Sequence, residues 1–468
     1  MLFNSIAFLC FLPIVLIGIG VLPKSWRNSF LLVAGYFFYG CWDWRFLGLL
    51  FLSTNIDFFA GRAIYASTNA RTRKLILIAS LSANLTILGF FKYFNFFADS
   101  ARALLHVLGF SPSLPVLSIV LPVGVSFYTF QSMSYAIDVY RGHTKPADRF
   151  LDYAVYVAYF PQLVAGPIER AAHLLPQIVS PAKVTWERVN IGLTLMLLGF
   201  TKKVLIADLL EPEVTRIFAH PGRMSSGMLL RGAYFFAFQI YCDFSGYSDV
   251  ARGVSELLGI RLRINFNQPY LSQSITEFWR RWHMSLSAWL RDYLYIPLGG
   301  NRYGQRKTYR NLLLTMLIGG LWHGANWTFV AWGGLHGFFL AAERALGVGQ
   351  GESAVDNPVW RGIKRVGLTL VTFHLVVFAW IFFRAANFTL AFEYIRGIFL
   401  FNNLAAVGVL PLLVAVAILA IDVPQNASGE HAVFLRTPWW VQAPAYAALC
   451  FAMILFGGRE TPFIYFQF

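Results

Sequence analysis

The sequence predicts an all-α integral membrane protein, with roughly ten to twelve membrane crossings and re-entrant and interfacial helices among them. Three observations carry this. The 468 residues are 57% hydrophobic and only 13% charged, with a mean hydropathy of +0.56, whereas soluble domains are about one-quarter charged. Apolar runs recur near residues 2–22, 29–60, 75–97, 115–138, 151–168, 189–211, 228–258, 311–346, 364–387, 397–421 and 437–457. The net charge of +15 is concentrated: residues 261–310 hold nine Lys or Arg against Glu277 and Asp292. By the positive-inside rule this basic segment faces the cytoplasm.

Along the chain, the first run lacks a basic leader and a small-residue cleavage site, so a retained span is expected. Several runs are too long or too short for one simple crossing, which is why re-entrant pieces are expected. Short loops rich in Gly, Pro, Ser, Asn or charge punctuate the runs, and no repeat period is visible. One integrated domain over 1–468 is expected. Its chemistry belongs near 120–346, where polar residues interrupt apolar stretches, while 2–22 and 397–421 are almost purely apolar. Two prolines and a glycine in Phe160-Pro-Gln-Leu-Val-Ala-Gly-Pro-Ile-Glu-Arg170 suit a broken helix lining a tunnel. Cys10, Cys41, Cys242 and Cys450 lack C-x-x-C spacing and are expected to be buried packing residues. The basic residues border spans and form no separate domain, so nucleic acid is not expected as a partner. Contact with anionic lipid accounts for most of the charge, and an anionic acyl donor or acidic carrier protein is the sharper reading.

Two Trp-His pairs stand out: Trp282-His283 and Trp322-His323. Hydrocarbon does not solvate an imidazole, so one placed in an apolar run is a functional candidate. His323 lies among small residues, beside Trp322 and Asn326; such a base can take a proton from a hydroxyl attacking a thioester. His283 follows a basic amphipathic stretch. Ser274 and Glu277 form a capping box there, which places Trp279, His283 and Ser287 on one face of an interfacial helix. His323 and His336 are thirteen residues apart and point to opposite faces if 311–346 is one continuous helix, while Gly319, Gly320 and Gly324 allow close packing or a break beside His323. On that reading His336 packs, and His106, His143, His173, His220 and His431 fall to loops or interfaces. Asp243 and Asp249 are expected to pair with Lys202, Lys203 or Arg252, since a lone carboxylate at mid-bilayer costs about 2.5–3.5 kcal/mol. The terminal string Pro462-Phe-Ile-Tyr-Phe-Gln-Phe468 is aromatic to its last residue. It reads either as an interfacial anchor or as a segment presenting the Tyr465 hydroxyl as a nucleophile.

These residues resemble the membrane-bound O-acyltransferase family, in particular its bacterial polysaccharide branch, typified by alginate O-acetylation. The resemblance is densest in Phe160-Pro-Gln-Leu-Val-Ala-Gly-Pro167, Asp243-Phe-Ser-Gly-Tyr-Ser-Asp249, Gln273-Ser-Ile-Thr-Glu-Phe-Trp-Arg-Arg-Trp-His283, Trp289-Leu-Arg-Asp-Tyr-Leu-Tyr-Ile296 and Gly320-Leu-Trp-His-Gly-Ala-Asn326. It implies a helical bundle around a central cavity in a bacterial inner membrane, with an acyl donor entering from the cytoplasm. The family's W-H-G histidine falls on His323 and its R-W-H histidine on His283. D-alanyl-transferring relatives use a small membrane subunit ending in a motif like F-I-Y-x-x-F, and Phe463–Phe468 looks like that motif fused in cis. The resemblance thus implies catalytic His323 and His283, an acyl relay on Tyr465, and support from Trp279, Trp282, Trp322, Asn326, Asp243 and Asp249. Arg280, Arg281 and Arg291 are the candidates for holding the donor. The donor is expected to be acetyl-CoA or an acyl carrier, with no resident cofactor or metal. A periplasmic SGNH-type acetyltransferase is the expected partner acting on polysaccharide. The acceptor stays open among alginate, peptidoglycan, cellulose and other exopolysaccharides. Two readings of the same residues from other classes also stay open: a polytopic carrier or flippase, and a bis-histidine haem protein using His283 and His323.

Overall fold

The computed structural model describes residues 1–110, 115–348, 358–457 and 463–464. Among these every regular element is helical. Five helical stretches are long and apolar enough to cross a bilayer: Lys24–Ala66, Ala70–Val107, Val359–Arg384, Leu410–Ser428 and Trp439–Phe456, with the shorter apolar helix Ile6–Val21 beside them. Leu412, Leu413, Val416, Leu419 and Val423 are exposed along one of these helices, a pattern that suits acyl chains and not water. The chain forms two compact units, Met1–Gly192 with Val254–Arg263, and Leu193–Gly253 with Ile264–Phe468.

In the first unit, Phe8, Phe11, Phe38 and Phe160 pack ring against ring. Asp57, at the centre of the Leu47–Ala66 helix, is fully buried. Its carboxylate accepts from the Ser80 hydroxyl at 2.6 Å and from the Asn84 amide at 2.9 Å, so neutral donors replace the water a membrane withholds. The helix expected to break near residue 160 does so. Phe150–Ala158 ends at Tyr159, and a single turn, Phe160–Leu163, follows. The Tyr156 carbonyl next to the break accepts from both Gln131 and Gln162 side chains, which satisfies backbone that the broken helix cannot.

The second unit holds both Trp-His pairs, and here two sequence expectations are corrected. The run 311–346 is not one helix. Gln305–His323 ends at His323, and Trp327–Ala345 starts after a three-residue turn. Asn326 caps the second helix by accepting from the Thr328 N–H at 3.1 Å. The two helices fold back on each other because glycines face them: a Cβ on Gly320 would sit 2.2 Å from the Phe329 carbonyl oxygen, and one on Gly333 2.2 Å from that of Met316. His323 and His336 therefore do not diverge. Their rings lie 5.0 and 4.9 Å from the same Trp332 ring.

The basic amphipathic stretch is likewise two short helices, Ile275–Arg281 and Met284–Leu290, with His283 between them at φ +42. Trp279 and His283 do not share a helix face. A left-handed non-glycine residue is strained by about 1 kcal/mol or more, and Asn265 holds the turn in place. Its side-chain oxygen accepts from Ser285 N at 3.2 Å and from the Ser285 hydroxyl at 2.9 Å, and its carbonyl accepts from Met284 N at 2.9 Å. Ser274 caps the helix as expected, its Oγ accepting from Glu277 N at 3.0 Å, while the Glu277 carboxylate reaches back one residue further, accepting from Gln273 N at 2.8 Å. Glu343 adds a second cap, accepting from the N–H groups of Ile275 and Thr276.

The cysteines follow the expectation only at Cys242, which is buried; Cys10, Cys41 and Cys450 lie on the exposed surface. Their helices turn those positions outward, where a small apolar thiol is compatible with lipid. Of the histidines expected in loops or interfaces, His431 does lie in a turn, where it is buried. His106 and His173 instead sit on the helices Phe94–Val107 and Ala171–Val179.

Candidate active site

The two folds of chain just described bring His283 and His323 together. Both are buried, and their ring centroids are 6.4 Å apart. Aromatic rings enclose them: Phe244 lies 4.8 Å from His283, Trp332 5.0 Å and Phe383 5.4 Å from His323, and Trp322 borders both. His283 Nδ1 stands 3.2 Å from the Asn265 side-chain oxygen. That oxygen can only accept, so the hydrogen sits on Nδ1 and Nε2 is the basic nitrogen. His283 lies outside the spanning helices, and burial in its aromatic shell pushes its pKa well below the usual imidazole range. The neutral, proton-accepting form is therefore the resting one.

His336 is packed among aromatic rings, as expected, and is hydrogen-bonded as well. The Trp279 indole N–H donates to its Nδ1 at 3.2 Å, and both rings are buried. Trp279 thus supports His336 instead of standing beside His283 on a common helix face. Trp282 is fully buried against Trp380, 5.1 Å away, and Trp380 stacks on Trp332 at 5.5 Å. Trp332 joins His323 and His336, Trp322 links His323 to His283, and Trp380 backs Trp332; neither Trp332 nor Trp380 stands out in the sequence. Both lie in apolar runs where one tryptophan looks like any other. Asn326, expected to serve His323, spends its amide elsewhere: besides capping, it donates to the Ala386 carbonyl at 2.8 Å.

A second cluster surrounds the two carboxylates of the Asp243–Asp249 string. Gly199 and Gly246 bring two helices into backbone contact, since a Cβ on Gly199 would lie 2.5 Å from the Gly246 carbonyl oxygen. This approach delivers two lysines. Lys202 Nζ lies 2.8 Å from Asp249, and Lys203 Nζ lies 2.7 Å from Asp243 and 2.8 Å from Asp208. Arg252 joins Asp249 at 3.2 Å and His431 at 3.0 Å. The Tyr241 hydroxyl donates to Asp422 at 2.9 Å. The pairing predicted from sequence is present, whereas Asp208, Asp422 and His431 were not foreseen. Asp422 ends an apolar run, and only its charge at that depth marks it. Asp243 also accepts the backbone N–H of Ile464 at 2.7 Å.

The arginines expected to hold a donor differ among themselves. Arg281 is engaged by Glu277 at 2.8 Å and Asn426 at 2.8 Å, and Arg291 pairs with Asp292 at 2.7 Å. Arg280 is exposed. Tyr465 lies outside the described residues.

Comparison with known proteins bears directly on this arrangement. A model of the membrane-bound O-acyltransferase family matches residues 148–364, a region that contains both Trp-His pairs as well as Asp243 and Asp249. Over its whole length the chain is 39% identical to the probable alginate O-acetylase AlgI of Azotobacter vinelandii, itself covered in full. The chain belongs to the membrane-bound O-acyltransferase family. This O-acyltransferase is also 35% identical to the peptidoglycan O-acetyltransferase of Helicobacter pylori, over 86% of the chain and 81% of that protein. A teichoic acid D-alanyltransferase of Streptococcus thermophilus matches at 30% over 48% of the chain and 57% of its own length. Membership in an acyltransferase family sets aside the carrier and haem readings. The protein is an enzyme.

Proposed function

We propose that this O-acyltransferase takes acetyl groups from acetyl-CoA on the cytoplasmic face of a bacterial inner membrane and passes them outward for O-acetylation of an exported polysaccharide such as alginate. A single observation carries the chemistry: two buried imidazoles, His283 and His323, with ring centroids 6.4 Å apart, one of them with its basic nitrogen defined by Asn265. The likeness to alginate O-acetylases over the whole chain supports the substrate class.

The proposed sequence has two transfers. His323, assisted by His283, accepts the phenolic proton of Tyr465 as its oxygen attacks the thioester carbonyl. The carbon–sulfur bond breaks, and the thiolate leaves and takes up the proton. Tyr465 then carries the acetyl group as a phenyl ester. A polysaccharide hydroxyl, presented by a periplasmic SGNH-type acetyltransferase, displaces the phenol, which recovers its proton. Phenolate, with a parent pKa of about 10, leaves more readily than an alkoxide. Arg280, exposed on the basic segment, is proposed to meet the donor's phosphates, and the ion pairs at Asp243 and Asp249 hold the surrounding helices. Ten to twelve crossings around a central cavity are the arrangement proposed for this path, supported by the apolar runs that recur along the whole chain.

Likeness to a peptidoglycan O-acetyltransferase favours a second acceptor, peptidoglycan, served by the same chemistry. Deleting the protein and measuring which polymer loses ester-linked acetate decides between them. For the relay, Tyr465→Phe should leave the protein folded and stop acetate reaching the polymer. Normal polymer acetylation in that variant would refute the relay and leave the His323 reading standing.

A further inference from the structure

We propose that Asp243 is a positioning residue: it anchors Phe463 and Ile464, the residues that lead directly into Tyr465. The inference rests on the acyl-tyrosine reading above and deepens it. Phe463 and Ile464 are 1% and 2% exposed, as deeply buried as the helical core. The Ile464 N–H donates to Asp243 Oδ2 at 2.7 Å, within the short range of charge-assisted bonds. The other carboxylate oxygen, Oδ1, is held by Lys203 Nζ at 2.7 Å. Lys203 is already matched by Asp208 at 2.8 Å. One lysine thus faces two carboxylates, so Asp243 is not required to neutralise it, and the oxygen turned away from the lysine binds backbone.

The neighbouring residue completes the anchor. Phe463 packs 5.0 Å from the Tyr247 ring and 5.5 Å from Phe244, and Phe244 lies 4.8 Å from His283. One aromatic ring therefore separates the anchored segment from an imidazole of the candidate site. A carboxylate that grips a backbone N–H fixes the register of the chain without restricting the side chain that follows. Tyr465 comes next after Ile464. A slip of one residue would shift its Cα by about 3.8 Å, more than an attacking oxygen can tolerate when reacting atoms must start about 3–3.5 Å apart.

The test uses the purified full-length protein in detergent, with two readouts: hydrogen–deuterium exchange of the peptide containing residues 457–468, and thiol release from acetyl-CoA. In Asp243→Ala the peptide should exchange at least about tenfold faster. Thiol release should fall about ten- to hundredfold, the factor one buried bond to a charged acceptor supplies, with the KM for acetyl-CoA unchanged. Asp243→Asn keeps an acceptor oxygen and should recover part of both losses. Ile464→Pro removes the donor and leaves every ion pair intact, so it should reproduce the Asp243→Ala kinetics even if that variant folds poorly. Unchanged exchange in Asp243→Ala, or fast exchange with full thiol release, overturns the proposal. Tyr465→Phe run in parallel separates the two ideas: full acetyl transfer there refutes the acyl-tyrosine, and the exchange readout still decides whether Asp243 is the anchor.

Discussion

Asn265 and His283 meet at 3.2 Å, side-chain oxygen to Nδ1, and the same oxygen ties down Ser285 across the turn. One amide therefore sets both the left-handed backbone of His283 and its tautomer. Asn265→Leu removes the acceptor and should reduce acetyl transfer about ten- to hundredfold, with little change in the KM for acetyl-CoA. Asn265→Asp, which keeps the acceptor oxygen, should retain more activity. Steady-state thiol release by reconstituted protein measures both. Equal rates for Asn265→Leu and the parent protein would show that the orientation of His283 does not matter to turnover.

The helical hairpin depends on backbone contact. Gly320→Ala places a methyl 2.2 Å from the Phe329 carbonyl oxygen, whereas at Gly334 the nearest atom is the Leu317 side chain at 3.4 Å. Gly320→Ala should therefore lower the melting temperature in detergent and reduce activity, by moving His323 and Trp332 together. Gly334→Ala should behave as the parent protein does. Similar melting temperatures for the two variants would contradict the packing described.

Much of this was legible beforehand, and the misses share a cause. The membrane class, the broken helix at residue 160, the helix start at Ser274 and a pairing of Asp243 and Asp249 with Lys202, Lys203 or Arg252 follow from composition, because a charge in an apolar stretch needs a partner; which lysine meets which aspartate does not. Gly319, Gly320 and Gly324 left a break beside His323 open as one reading; that the two halves fold into a hairpin was hidden, because apolar periodicity continues through it and only the facing glycines Gly320 and Gly333 and the cap residue Asn326, read together, would reveal it. The break at His283 was hidden because helix spacing in 274–290 is good, and Asn265, eighteen residues earlier, stabilises the alternative. Asp422, His431, Trp332 and Trp380 required knowledge of which helices touch.

The buried ion pairs predict an asymmetric response to substitution. Lys202→Met leaves Asp249 buried beside Arg252 and His431. Losing one member of a buried pair costs about 3–5 kcal/mol, so unfolding should occur at clearly lower temperature. The double variant Lys202→Met, Asp249→Leu should recover part of that loss, because no carboxylate is stranded. Thermal unfolding followed by tryptophan fluorescence reads the difference. A double variant no more stable than the single one would argue that the pair is not the interaction holding these helices.

The bond between Trp279 and His336 predicts a smaller effect. Trp279→Phe preserves the aromatic contact with Trp332 and removes the indole donor at 3.2 Å. The expected loss is about 1 kcal/mol of stability, with acetyl transfer reduced no more than severalfold. A loss of activity as large as that of a His323 variant would place Trp279 and His336 in the chemistry itself.

The central claim is that His323 is the base that starts acetyl transfer, and single-turnover thiol release from acetyl-CoA by reconstituted His323→Ala tests it most directly. General-base catalysis contributes about 10²–10⁴-fold, so the variant should release thiol at least about a hundredfold more slowly while its melting temperature stays near that of the parent protein. Thiol release at the parent rate from the folded variant would contradict the account.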